Sequence, residues 1–285
     1  MKYESSDSLV STSWLEQHLG SPEISIVDAT YYLPNDERNA EENYRIRHIP
    51  GAVFFNINKI CDNTVNLPHM LPSPEEFSSQ VSKLGLGDGK RIVVYDSSGG
   101  FLAACRVWWM FRIFGHKDVA VLDGGLPKWN HEKRPISKDE VKPQEQHFSA
   151  KINYKLVKNV SQMLKNMNRK KFQVIDARTP RRYNGTEPEP RPTKKVGHIP
   201  GSINLPFPVL LNPKDHFTFK SADAIQSAFN DLGIDINKPI VASCGSGVTA
   251  AVITFALYLI GNAEGAIYDG SWAEWGDHPA TKVVS

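Results

Sequence analysis

At 285 residues, 40% of them hydrophobic, the chain is long for one typical domain and comfortable for two, each able to bury a core. A formal net charge of +2 gives no footing for nucleic acid or an anionic membrane as partner. Three cysteines, an odd number, argue against a disulfide framework, and no apolar run reaches the roughly 18 residues of a membrane span without interruption.

The chain opens on MKYESSDSLVSTSWLEQ, which has no signal-peptide core. Glu4, Asp7 and Glu16 also break any acid-poor transit pattern, so a cytoplasmic location is expected. The runs ISIVDA, AVFF, RIVVYD and VAVLDG are apolar without alternation, as in strands buried on both faces. Between the second and third lies SPEEFSSQVSKLG. There Ser73 caps a helix, Pro74 takes its first position, Glu76 completes a capping box and Gly85 ends it. Further on, PIVAS reads as a strand and VTAAVITFALYLIG as a helix apolar nearly all round. Alternating strands and helices define an α/β fold with mostly parallel sheets flanked by helices.

The pattern occurs twice. ISIVDATYY returns as FQVIDARTP, RHIPGAVFFNI as GHIPGSINLPF, and VLDGGLPKW as IYDGSWAEW, at an offset of 146 to 150 residues. A repeat that long is a duplicated domain. The joint is charged, carries Pro135 and Pro143 and lacks apolar periodicity. The reading places one domain at residues 1–138, a linker at 139–151 and a second domain at 152–285.

Function in such sheets collects at the carboxyl ends of strands, and Cys244 stands at one. It opens the loop Cys244, Gly245, Ser246, Gly247, with Val248 and Thr249 leading into the apolar helix. Small residues leave backbone N–H groups free to turn inward, and the helix start adds partial positive charge. The result is an anion cradle suited to a nucleophilic sulfur. Isolated cysteines are more often small buried hydrophobes. That plain role fits Cys105, in LAACRVWWMF, and Cys61, in a polar loop. In the first copy the place of Cys244 is taken by Asp96, which carries no sulfur, so that copy is expected to be silent. A cysteine phosphatase needs an arginine at the far end of such a loop, where Thr249 and Ala250 stand. No Cys or His pair has metal-ligand spacing.

The doubled HIPG, the doubled DG…W ending and the loop CGSGVTA together resemble the tandem rhodanese-domain sulfurtransferases, over nearly the whole length. The resemblance implies two rhodanese-like domains, the second catalytic, and a sulfur carried as a Cys244 persulfide with no metal or organic cofactor. Within the family, thiosulfate sulfurtransferases typically place basic residues after the cysteine, whereas 3-mercaptopyruvate sulfurtransferases carry Gly-Ser-Gly, as here. The chemistry agrees, since mercaptopyruvate bears its carboxylate away from its sulfur and needs its positive partner elsewhere. By resemblance that partner is the pair Arg182 and Arg191 in RTPRRYNGTEPEPRP, whose planar forks grip a carboxylate; Arg178 and Arg181 stand close by.

The family's proton relay of serine, histidine and acid maps onto Ser246 and His69, but its acid is not matched: the chain reads Asn56, Ile57, Asn58, with Asp62 nearby. The doubled histidines His48 and His198 read as structural, since both copies keep them. The implied reaction moves sulfur from 3-mercaptopyruvate to cyanide, a thiol or thioredoxin, with release of pyruvate. A thiosulfate:cyanide sulfurtransferase and a persulfide-carrying docking module are the competing readings.

Overall fold

The computed structural model describes residues 2–99 and 103–285. In the first half β1 (Leu9–Val10), β2 (Ile24–Asp28), β3 (Val53–Phe54), β4 (Arg91–Tyr95) and β5 (Val119–Leu122) alternate with α1 (Thr12–Gln17), α2 (Ala40–Ile46), α3 (Pro74–Lys83), α4 (Ala104–Ile113) and α5 (Gly125–His131). The strands form one parallel sheet in the order β1-β5-β4-β2-β3. The second half repeats this with β6 (Val157–Lys158), α6 (Val160–Arg169), β7 (Gln173–Asp176), α7 (Pro180–Tyr183) and β8 (Ser202–Asn204). An antiparallel ribbon of β9 (Leu211–Asn212) and β10 (Thr218–Phe219) follows, then α8 (Ala222–Asn230), β11 (Ile240–Ser243), α9 (Ala250–Leu259), β12 (Ala266–Tyr268) and α10 (Ser271–Trp275). Its sheet runs β6-β12-β11-β7-β8, the same order. The fold is thus α/β, with two five-stranded parallel sheets flanked by helices.

Local chemistry sets the helix starts. Ser73 and Glu76 close the expected capping box on α3, with Pro74 in the first turn and Gly85 left-handed just past its end. Asn159 and Gln162 do the same for α6. The sequence reading passed over β1 and β6 because two residues carry no periodicity; pairing with β5 and β12 makes them strands.

Helices α4 and α9 are buried almost along their whole length and pack on each other across the boundary between the copies. Trp108 of α4 lies edge-on to Phe255 of α9, with centroids 4.7 Å apart. One apolar cluster therefore runs through both halves. The stretch read as a linker lies along the first half. Its Phe148 is buried against Phe77 and Phe111, and its backbone bonds to Ser82, Asp88 and Phe114.

The HIPG histidines have matched structural roles. His48 stacks on Tyr44 and bonds its carbonyl, and His198 stacks on Tyr183 and bonds its carbonyl. Each backbone bridges to the last segment of its own half, at Ser137 and Val284.

Candidate active site

Strand β11 ends at Ser243 in the middle of the second sheet, and Cys244 begins the turn into α9. Three carbonyls of this turn are held from outside. That of Cys244 accepts from the Trp272 N–H at 2.9 Å, that of Gly245 from the Ala273 N–H at 2.9 Å, and that of Gly247 from Arg106 at 3.3 Å. In a trans peptide unit the N–H points opposite to the carbonyl. The N–H groups of Gly245, Ser246 and Val248 are therefore turned away from those donors. Among the described residues, no N–H from Gly245 to Thr249 has an intramolecular acceptor. Gly247 is required, with φ +75° and the Asp269 carbonyl 3.0 Å from where a Cβ would stand, while a Cβ on Gly245 would displace the Arg182 guanidinium, 2.7 Å away.

Cys244 is only 2% exposed, yet it lines a cavity of about 280 Å³. Arg182, Arg191, Phe207 and Trp272 of the second half and Tyr31 and Leu33 of the first share that lining. Helix α7, capped by Thr179 with Pro180 in its first turn, presents Arg182. Glu189 holds the guanidinium of Arg182 through Nε at 3.1 Å. Arg191 donates to the Tyr31 hydroxyl at 2.9 Å. The neighbouring arginines differ. Arg178 is buried and paired with Asp176 and Glu189, both at 2.7 Å, while Arg181 is exposed and outside the cavity. Of the four, Arg182 and Arg191 face the same space as Cys244 with nitrogen left for a ligand.

His69 comes from the first half on a loop with φ +59° and is buried. Its Nδ1 lies 3.3 Å from Ser246 Oγ and its Nε2 2.9 Å from Asn58 Oδ1. Because an amide oxygen only accepts, Nε2 carries the proton and Nδ1 accepts from Ser246. Burial, then the charges of Arg191 and Arg106, hold His69 down to about 3, against a smaller opposing contribution from the Ser246 backbone. The ring is neutral. Asp62 takes no part, since its carboxylate accepts from the Thr64 N–H and hydroxyl. Asn58 fills the place of the missing acid.

The other cysteines are remote in chemistry. Cys105 is fully buried in α4, and burial pushes its thiol well up; Cys61 donates to the Asn58 carbonyl at 3.2 Å. Among the described residues no His, Cys, Asp and Glu side chains cluster as metal ligands, and no helix is long and apolar enough to cross a membrane.

Sequence reasoning missed Tyr31, Arg106, Glu189 and Ser271. Ser271, itself left-handed, accepts the Cys244 N–H at 3.2 Å. Tyr31 had one signal, its place just past the carboxyl end of β2. Arg106 had none, being one cation inside an apolar helix pattern.

The family described as rhodanese-like domain matches this chain twice, at residues 11–132 and 159–278. The 3-mercaptopyruvate sulfurtransferase of Homo sapiens is 41% identical over 272 residues, which cover 94% of this chain and 91% of the human one. The thiosulfate sulfurtransferase of Mus musculus is 42% identical over 273 residues, with the same coverage of 94% and 91%. The crystal structure of the 3-mercaptopyruvate sulfotransferase SseA from Escherichia coli aligns with a TM-score of 0.85 at 39% identity, covering 93% of this chain and 98% of that one. With both halves matched, and relatives spanning more than nine-tenths of either length, the chain belongs to the tandem rhodanese-domain sulfurtransferases.

Proposed function

We propose that this sulfurtransferase takes its sulfur from 3-mercaptopyruvate and carries it on Cys244. The observation that carries the reading is that the charge comes from outside the Cys244 loop. Gly245, Ser246 and Gly247 bring no cation of their own, whereas Arg182 and Arg191, from another segment, line the cavity that Cys244 lines. A donor with its carboxylate at one end and its sulfur at the other fits that layout.

In this reading the Cys244 thiolate attacks the donor sulfur. An S–S bond forms, the C–S bond breaks, and the electron pair passes to C3 as the enolate of pyruvate. Arg182 and Arg191 hold the carboxylate and polarise the ketone, which makes the enolate the better leaving group. The proton lost by the donor thiol is returned to C3 through Ser246 and His69, so pyruvate leaves and Cys244 remains as a persulfide anion facing the loop amides. His69 enters this step neutral. The incoming carboxylate offsets the charge of Arg191 and makes the ring a better base on binding. A thiolate or cyanide then takes the outer sulfur and the Cys244 thiolate is regenerated. Thioredoxin is one such thiol.

The test is turnover on 3-mercaptopyruvate and on thiosulfate side by side, with the mass of the Cys244 peptide read after brief exposure to each. A gain of one sulfur and faster pyruvate release from mercaptopyruvate are expected. A clear preference for thiosulfate sinks the substrate assignment. That second reading has one finding in its favour, the 42% identity to a thiosulfate sulfurtransferase against 41% to a 3-mercaptopyruvate sulfurtransferase.

A further inference from the structure

We propose that Arg106, supplied by the half that has Asp96 where the other has Cys244, is a positioning residue for sulfur transfer, fixing the Cys244 loop and His69 in one geometry. The proposal rests on the persulfide reading and adds to it a residue that touches neither substrate nor sulfur.

Arg106 is fully buried in α4 and reaches across the boundary between the halves. Its Nη2 donates to the His69 carbonyl at 2.6 Å and to Asp269 at 2.7 Å, and its Nη1 donates to the Gly247 carbonyl at 3.3 Å. The other Asp269 oxygen accepts the Leu71 N–H at 2.8 Å, two residues from His69. One guanidinium thus ties together the histidine loop, the cysteine loop and the start of the turn after β12. By holding the Gly247 carbonyl outward it turns the Val248 N–H the opposite way, toward the concave side of the loop. By holding the His69 carbonyl it fixes a left-handed residue that has no reason of its own to stay there.

The arrangement is more than fold maintenance requires, and the molecule contains the control. At the offset of 148 residues, Arg106 corresponds to Thr254 of α9, His69 to Phe217, and Leu71 to Phe219. In the motifs VLDGG and IYDGS, 146 residues apart, Asp269 corresponds to Asp123, which accepts the Phe219 N–H at 3.0 Å just as Asp269 accepts that of Leu71. Phe217 shares the left-handed φ of +59° with His69. Among the described residues the same scaffold closes there without an arginine, and the Thr254 hydroxyl donates within its own helix, to the Ala251 carbonyl. A buried guanidinium is costly, the more so because Arg106 Nε has no partner among the described residues. The cation reaches the loop of Cys244, and the corresponding place beside the loop of Asp96 holds Thr254.

The experiment compares wild type, Arg106→Lys, and the neutral pair Arg106→Met with Asp269→Asn, whose amide oxygen keeps the Leu71 bond. Melting temperature, kcat, KM and the rate of sulfur gain on Cys244 are read for each, with whichever donor the wild type turns over. The neutral pair is expected to melt near wild type and to lose about 30-fold in kcat, with KM changed less than about threefold, because a misaimed amide costs transition-state rather than ground-state binding. Arg106→Lys, keeping the charge but not the fork, is expected to melt normally and recover part of the rate. Wild-type kcat in either variant overturns the proposal. If the wild type itself gains no sulfur on Cys244, the persulfide reading fails first and is recognised as the cause.

Discussion

The two strand-to-helix loops of this molecule share a scaffold and differ in what fills it. Asp96 follows the central strand of the first sheet as Cys244 follows that of the second. The Asp96 carboxylate accepts the N–H of Ser98 at 2.9 Å and, at the start of α4, that of Ala104 at 3.1 Å. Among the described residues the Ser98, Ala103 and Ala104 amides thus go to Asp96's own side chain and that of Ser97 to Thr30, whereas those from Gly245 to Thr249 have no intramolecular acceptor. The comparison supports the proposal that the second loop is a cradle for an anion, since a carboxylate takes up the corresponding amides in the first.

The sharpest way to test that lesson is to turn one loop into the other. Cys244→Asp should fill the second cradle, lowering pyruvate release by at least about 10⁴-fold while the protein melts at or above the wild-type temperature. A large drop in melting temperature would show that the loop does not accept an anion. Arg182→Gly and Arg191→Gly, removing groups with no counterpart in the first loop, should each cost roughly 2–4 kcal/mol in kcat/KM for mercaptopyruvate. Unchanged kinetics would return both to ordinary surface charge. Asp96→Ala strips the first cradle and should lower stability by about 1–3 kcal/mol in urea unfolding, with little change in kcat. His69, which faces Phe217 in the comparison, should show no ring titration between pH 5 and 8 by NMR of labelled histidine, because it is held down to about 3. An inflection near the ordinary ~6.5 would remove the neutral-ring argument.

The smallest effect concerns the doubled aspartates. Asp123 lacks the arginine that Asp269 has, and burial pushes it up to about 6. A carboxyl group raised on folding stabilises the fold at low pH and loses that contribution as pH rises through about 4 to 6. Asp123→Asn should therefore stabilise the protein on the order of 1–2 kcal/mol above pH 6 and leave it unchanged near pH 4. Equal gains at both values would refute the assignment.

Much of this was legible in the sequence because duplication prints each element twice. The strand runs, the Ser73 capping box, the structural histidines and the Asp96-for-Cys244 exchange all follow from local chemistry read in parallel. What stayed hidden depends on contacts between the halves. Tyr31 meets Arg191, 160 residues away, and Arg106 meets Asp269, 163 residues away. No periodicity links such residues. Arg106 looked like a stray cation in an apolar helix because the groups it binds are two loops and a turn from elsewhere in the chain. Similarly, the apparent linker was read from its charge, while one side chain, Phe148, anchors it.

The shared wall of α4 and α9 has an evolutionary corollary. On the reading that the half with Asp96 in place of Cys244 transfers no sulfur, such a duplicate would ordinarily be free to decay or be deleted. Here deletion would strip the cover from a helix that is apolar on every side, and would take His69 and Arg106 with it. Each half closes apolar surface of the other, so neither would keep its core covered alone.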